Sequence, residues 1–134
     1  MPLQPANATI PLRIARIHVE GAGGAAESPH LPVALRYFDE ALRINPRCED
    51  ALVEKGAALA MAHRDDEAEA VFRSALALRP DSLHAVNFWA QLLLYRGKDA
   101  EALTLVEAGL AIEPGYRDLL ALRARIEKKA GPPR

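Results

Sequence analysis

The sequence predicts an all-α protein made of repeated helical hairpins, and a fixed sequence period is the main observation behind this prediction. Pro46, Pro80 and Pro114 recur at an interval of 34 residues, and small and apolar residues recur between them at the same interval. Each period contains two helical apolar patterns and no strand pattern. A fixed period of ~20–50 residues is the signature of a solenoid. The aligned sets are Ala34, Ala68 and Ala102; Phe38, Phe72 and Val106; Ala41, Ala75 and Gly109; Leu42, Leu76 and Leu110; and Ile44, Leu78 and Ile112.

The middle period, 49–82, shows how one unit is built. Its first helix is an alanine-rich stretch that ends before a polar turn at 63–66. Asp66 is suited to cap the second helix through its carboxylate, and Glu69 completes a capping-box pattern. Pro80 ends the second helix because its ring removes a donor and clashes with the preceding turn. The apolar stripe of the second helix consists of Ala68, Val71, Phe72, Ala75 and Leu76.

Small residues recur where the two helices of a unit must approach closely. Gly56 and Ala90 occupy the same phase of successive first helices. A larger side chain there would push the paired helices apart, and overpacking costs ~1–3 kcal/mol. Phe72 and Val106, in the second helices, are the large side chains that fill the adjoining space.

This pattern resembles the tetratricopeptide repeat (TPR) family, whose unit of ~34 residues carries Leu-Gly in the first helix, then Ala, a large aromatic residue, a second Ala and Pro. Lys55 in place of Leu, and Gly109 in place of Ala, depart from the family pattern. The residues that carry the resemblance are Gly56, Ala68, Phe72, Ala75 and Pro80 in one unit, and Trp89, Ala90, Ala102, Val106 and Pro114 in the next.

The resemblance implies a TPR-type α-solenoid, a right-handed superhelix of helix-turn-helix repeats. We assign 31–131 as the TPR domain, with a final helix whose charged outer side seals the open end of the array. The Gly-Pro-Pro run at 131–133 is expected to end that helix. The implied order is a degenerate N-terminal repeat at about 15–48, two complete repeats at 49–82 and 83–116, and a C-terminal capping helix at 117–130.

The N-terminal segment, 1–30, is predicted to be irregular. Within it, 11–19 fits either a degenerate first helix that starts at its proline or a short strand, which its β-branched residues favour. The glycine-rich run at 21–24 predicts a mobile loop. If Ala15 takes the small-residue phase, 19 residues separate it from Ala34, against 12 at the matching positions of the next repeat. The loop would then carry a seven-residue insertion.

Composition excludes several classes of protein. The chain of 134 residues is 50% hydrophobic and 26% charged with a net charge of −1, which fits a globular domain and predicts no nucleic-acid binding. We expect no membrane association, because no apolar run approaches the ~18 residues that a span needs. A single cysteine, Cys48, allows no intrachain disulfide and favours a reducing compartment, so we expect a cytoplasmic location.

The resemblance implies that the first helix of each pair lines a concave groove that holds a peptide or a partner protein. Asn87 and Gln91 can both donate and accept hydrogen bonds, which suits the backbone of an extended ligand. The competing interpretation is that they are solvated polar positions on a helix. The predicted partner-binding residues are Asp50, Val53, His84, Asn87, Gln91, Leu94 and Arg125.

Some TPR proteins hold the free carboxylate of a peptide with Lys, Asn and Arg side chains at fixed phases of successive first helices. Those phases here hold Val53 and Ala57, then Phe88, then Asp118 and Leu122. None of these residues matches, so the sequence predicts that this ligand class is not bound.

The helix from Phe88 to Tyr95 is apolar on nearly every face. A helix of this kind is normally buried on all sides. It is therefore either covered by neighbouring helices or a contact surface for a partner or for a second copy of the chain, which would give a homo-oligomer.

Catalysis is not supported by any motif, and we predict neither a metal nor another cofactor. The four histidines, His18, His30, His63 and His84, lack metal-ligand spacing with one another and with Cys48. The predicted function is that of a non-catalytic interaction module or scaffold. The alternatives are a chaperone that holds a client segment, as TPR chaperones of bacterial secretion do, and an accessory or regulatory subunit of an enzyme complex.

Overall fold

The computed structural model describes residues 7–130, which form seven α-helices and no strand. This confirms the predicted all-α TPR fold, with helices that follow the 34-residue period. The helices are α1 (Thr9–Ala22), α2 (His30–Ile44), α3 (Glu49–Met61), α4 (Asp65–Leu78), α5 (Leu83–Tyr95), α6 (Asp99–Ile112) and α7 (Arg117–Ala130).

Backbone contacts divide the chain into two compact units, Met1–Leu78 and Arg79–Arg134, called unit 1 and unit 2 below. Unit 1 holds α1 to α4 and unit 2 holds α5 to α7. The sequence predicts a domain boundary between residues 30 and 31, whereas the backbone contacts divide the chain between Leu78 and Arg79. Residues 30 and 31 both lie in unit 1, where α2 begins at His30 and packs against α1. The predicted TPR domain at 31–131 therefore spans parts of both units.

Unit 1 is a run of hairpins in which α1 packs against α2, α2 against α3, and α3 against α4. Gly56 lets α3 approach α4, since a Cβ atom at this position would lie 2.6 Å from Cε1 of Phe72. Phe72 is fully buried, so its ring could not move aside without disturbing the core. The small-residue phase identified in the sequence is thus a site of direct contact between two helices.

In unit 2, α5 packs against α6, and α7 contacts both of them. Gly109, one of the departures from the family pattern, lies where α6 meets α7. A Cβ atom there would be 2.5 Å from Cδ1 of Leu119 and 3.2 Å from Cγ1 of Val86. The glycine therefore makes room for Leu119, a fully buried residue of the last helix.

The N-terminal stretch is helical, so α1 takes the first of the two conformations that its sequence allows. Ala15 on α1 and Ala34 on α2 are both fully buried, as the small-residue phase requires. The β-branched side chains of Ile10 and Ile17 point outward and are 62% and 65% exposed. Packing of the helix pair thus outweighs the strand preference of these residues. The α1–α2 connection begins at Gly23, which has a φ of 57°.

Two details of the predicted units change. The second helix of the middle unit begins at Asp65, so Asp66 lies inside its first turn and does not precede it as a cap. Lys55, at a position that is apolar in the family, places its Nζ 2.6 Å from Oδ1 of Asp39 on α2. That ion pair explains how a lysine is accommodated there. The predicted end of α7 at 131–133 lies outside the described residues.

No helix of the described part of the chain has both the length and the apolar composition needed to cross a membrane.

Candidate functional site

The candidate site is a groove between α5 and α7 of unit 2. It consists of one cavity of about 330 Å³ beside the N-terminal halves of the two helices and one of about 600 Å³ beside their C-terminal halves. Gln91 and Arg125 line both cavities. Because corresponding turns of α5 and α7 share each cavity, the helices run side by side in the same direction, and we call the space between them the α5–α7 groove.

Two side-chain amides lie on the α5 wall of this groove. Asn87 is only 6% exposed, and its Oδ1 accepts a hydrogen bond of 3.1 Å from Nε2 of Gln91. The two residues are one helical turn apart, so the bond fixes both amides along the helix. The side-chain oxygen of Gln91 and the side-chain nitrogen of Asn87 take no part in this hydrogen bond. The wall thus carries both an acceptor and a donor.

The groove differs in charge between its two ends. Its C-terminal end is lined by Arg125, Lys128 and Lys129, and no acidic residue of 7–130 lines it. Lys129 places its Nζ 3.1 Å from Oδ1 of Asp99 on α6. Among residues 7–130, neither Arg125 nor Lys128 has an acidic partner. The N-terminal end of the groove is lined by Asp118 instead.

Apolar side chains complete the groove. Leu94 is 9% exposed and lies beside Tyr95, which is 71% exposed. Phe88 is half-buried at the N-terminal end, where its ring centroid lies 5.4 Å from that of His84. Most of the apolar surface between Phe88 and Tyr95 is therefore covered, and Tyr95 is its one strongly exposed aromatic ring among the described residues.

The predicted partner-binding residues separate into two groups. In unit 2, Asn87, Gln91, Leu94 and Arg125 line the α5–α7 groove, whereas His84 lines neither cavity and is exposed beside Phe88. The second group, Asp50 and Val53, lies in unit 1.

Val53 is fully buried and belongs to the protein interior, and its role as a contact residue stays a prediction. Its sequence phase is that of Asn87, one period later, and both side chains are buried. Asp50 is exposed, and its Oδ2 lies 4.0 Å from the guanidinium of Arg16.

In unit 1 an ion pair joins α1 and α3. The guanidinium of Arg16 donates to both carboxylate oxygens of Glu54, at 2.7 Å from Nε and 2.6 Å from Nη2. These hydrogen bonds raise the pKa of Arg16 above its ordinary value. The charge of Arg16 is therefore already neutralised by Glu54 of the same chain.

Sequence spacing did not identify a contact between two histidines of unit 1. Nδ1 of His18 lies 3.0 Å from Nδ1 of His30, and the ring of His18 stacks on that of Tyr37 at a centroid distance of 6.1 Å. The buried alanines could have revealed it, because His18 follows Ala15 by three residues and His30 precedes Ala34 by four. Within residues 7–130, no group of three or more His, Cys, Asp or Glu side chains is placed to hold a metal ion.

The described helices form an all-α repeat protein with an open surface groove in unit 2. The tetratricopeptide repeat family model matches residues 66–126. This stretch is therefore a tetratricopeptide repeat region, and the chain has the TPR fold. No curated protein sequence matches it.

Solved structures of TPR proteins are similar to this chain. A thermophilic TPR protein of Thermus thermophilus shares 27% identity, with a TM-score of 0.81 over 89% of this chain and 63% of that one. The TPR2B domain of yeast Sti1, in a complex with pHsp70, shares 17% identity, with a TM-score of 0.78 over 91% and 97%. The second TPR domain of human RPAP3, in complex with the HSP70 peptide SGPTIEEVD, shares 16% identity, with a TM-score of 0.69 over 90% and 98%.

Proposed function

We propose that this chain is a non-catalytic interaction module that holds an extended segment of a partner protein in the α5–α7 groove. The observation that carries the proposal is the pair of hydrogen-bonded amides at Asn87 and Gln91, on one wall of a groove whose cations Arg125 and Lys128 have no acidic partner within 7–130. An extended segment presents backbone N–H and C=O groups to its surroundings, and both must find partners when they leave water. Side-chain amides can serve both kinds of group.

The dimensions of the groove support a peptide segment. From Asn87 to Tyr95, α5 advances by ~12 Å, at ~1.5 Å per residue. An extended chain advances ~3.3 Å per residue, so about four or five residues would follow this wall. The two cavities are open surface depressions that share residues, as expected of a continuous track.

The comparisons support the class of function. The TPR domains of yeast Sti1 and human RPAP3 have this fold and are each in a complex, one with pHsp70 and one with an HSP70 peptide. Their identities of 17% and 16% show a common fold only. We therefore propose for this chain only that it binds a polypeptide. The particular ligand is not transferred, because the positions that bind a free carboxylate in some TPR proteins are occupied here by residues such as Phe88 and Asp118.

We place the module in the cytoplasm, as the reducing compartment that a single free cysteine favours. A homo-oligomer through the helix from Phe88 to Tyr95 stays a prediction. So do the chaperone and the accessory subunit. Size-exclusion chromatography of the protein alone, and with a candidate client, distinguishes a chaperone from a scaffold. A chaperone keeps an aggregation-prone client soluble, whereas a scaffold forms a defined complex with a folded partner.

The amide pair provides the test of the groove. A displayed library of random peptide segments is selected against the wild-type chain, and the enriched peptides are measured against the double variant Asn87→Ala with Gln91→Ala. We expect affinity to fall by about tenfold, since each lost hydrogen bond contributes ~0.5–1.5 kcal/mol. Thr104→Ala on α6 is the control, because Thr104 is exposed and lines neither cavity.

Circular dichroism of each variant shows that the helices are retained. Peptides that bind the double variant as tightly as the wild type would place the binding surface elsewhere. A library from which the wild-type chain enriches nothing would remove the proposed function.

A further inference from the structure

We infer that the segment held in the α5–α7 groove is an internal acidic one, with side-chain carboxylates at Arg125 and Lys128 and an apolar side chain next to them on Leu94 and Tyr95. The inference rests on the proposed function and names the chemistry of its ligand. It concerns carboxylates within a chain, and it requires no free C-terminus.

The arrangement of cations along α7 is the first argument. Arg125 has Ala121 and Lys129 at the positions four residues away, and Lys128 lies three residues after it. No acidic side chain therefore lies one helical turn from Arg125 to neutralise it, and Asp118 on the same face is two turns away. Like charges at this spacing destabilise a helix. A cluster that works against the stability of its own helix is explained by an anionic partner.

The helix dipole accounts for only part of this cluster. Cations in the last turn of a helix interact favourably with its dipole, and Lys128 and Lys129 lie in the last turn of α7. Arg125 lies before that turn, where the effect has faded. Lys129 is further occupied by Asp99. Arg125 is thus the cation that neither the dipole nor another described side chain explains.

The remaining walls define the rest of the segment. Tyr95 is 71% exposed beside the nearly buried Leu94, which offers an apolar face to a residue adjacent to the carboxylate. The groove continues past the cations to Gln91 and then to Asp118 at the other end. A segment that fills it must therefore extend beyond its acidic residue. Asp118 would repel a second acid there and favour a neutral or basic residue.

A charge reversal tests the inference. Random segments of about seven residues are displayed between flexible linkers on both sides, so that no terminus is free. They are selected against the wild-type chain, against Arg125→Glu with Lys128→Glu, and against Arg13→Glu with Arg36→Glu. The last variant makes the same change in net charge at exposed positions of unit 1, outside the groove.

We expect the wild type and the unit 1 variant to enrich Asp and Glu over Lys and Arg, and the groove variant to enrich Lys and Arg. The best wild-type peptide, acetylated and amidated, should bind the groove variant about tenfold more weakly or worse. Raising the salt concentration should weaken the binding of this peptide to the wild type.

If the reversed variant loses helical content, Arg125→Gln with Lys128→Gln replaces it and should abolish the acidic preference. Enrichment without an acidic preference, or a preference that survives either groove variant, overturns the inference and leaves the proposed function standing. The absence of any enrichment by the wild type overturns both.

Discussion

Arg16 in unit 1 and Arg125 in unit 2 occupy the same phase of the repeat, yet their surroundings are opposite. Each follows a small residue of a first helix, Ala15 in one case and Ala124 in the other. Arg16 is held by Glu54 of the next first helix, at 2.6 Å. Arg125 has no acidic partner among the described residues. The same repeat geometry can therefore give a self-satisfied surface or one open to a ligand.

What decides between the two surfaces is the residue on the neighbouring first helix. Unit 1 offers a carboxylate across from its arginine, whereas Gln91 of unit 2 lines the same cavities as Arg125 and carries no charge. An amide can hydrogen-bond to a guanidinium but cannot neutralise it. The comparison thus supports the proposed binding site in unit 2 and shows an ion pair in unit 1.

The largest expected effect is a loss of folding free energy when a methyl group is added to the glycine that lets two helices approach closely in each unit. Gly56→Ala would place a Cβ atom 2.6 Å from the buried ring of Phe72, and we expect a net loss of ~1–3 kcal/mol of folding free energy. Gly109→Ala would place a Cβ atom 2.5 Å from Cδ1 of the fully buried Leu119 and 3.2 Å from Cγ1 of Val86, so we expect a comparable loss of ~1–3 kcal/mol. Urea unfolding followed by circular dichroism measures both.

Gly21→Ala is the control for helix propensity, because Gly21 is an exposed residue of α1 and its added Cβ atom would meet only the ring of His30, at 3.2 Å, which is itself exposed and can shift. We expect the free energy of unfolding to change by less than ~1 kcal/mol, because this contact offsets the gain in helix propensity. If Gly56→Ala behaved like Gly21→Ala, the close approach of α3 and α4 would not be a constraint on the fold.

The next largest effect is on peptide affinity, when a carboxylate is placed beside Arg125 of unit 2 as Glu54 lies beside Arg16 in unit 1. Gln91→Glu places a carboxylate in both cavities with Arg125 and should neutralise it from within the chain. We expect about tenfold weaker binding of an acidic peptide selected with the wild type, measured by fluorescence anisotropy. Thr104→Glu adds the same charge on α6 outside the groove, and its affinity should change little. Equal affinities of the wild type and Gln91→Glu would contradict the role assigned to Arg125.

The smallest effect concerns the ion pair of unit 1. Glu54→Gln removes the carboxylate that Arg16 contacts, and we expect a loss of up to ~1 kcal/mol in unfolding free energy, because partly exposed ion pairs contribute little. The difference from the wild type should shrink at high salt. Glu40→Gln, which breaks an exposed contact with Arg43 inside α2, should have a smaller effect. A larger loss for Glu40→Gln would mean that the α1–α3 pair is not a structural link.

The repeat period made most of the fold predictable. Helix positions follow from the proline interval and from the apolar stripes, and the contact of Gly56 with Phe72 follows from their phases. These features depend on residues close in sequence, or on residues at a fixed spacing within one hairpin. Local spacing is the information that a single sequence carries best.

The candidate site was less predictable, because it depends on pairs far apart in sequence. The contact of Arg16 with Glu54 joins residues 38 positions apart on different hairpins, and nothing in either local pattern indicates it. Val53 shows the same limit. Its phase indicated the ligand-facing side of its helix, whereas its burial depends on the side chains packed around it.

The α1–α2 connection gives this chain a practical advantage. A Cβ atom at Gly23 or Gly24 would meet no other atom within 4 Å, although both glycines have positive φ values, and both are exposed. Exposed loop positions of this kind tolerate added residues. A short tag inserted there would let the chain be immobilised while leaving the α5–α7 groove unmodified.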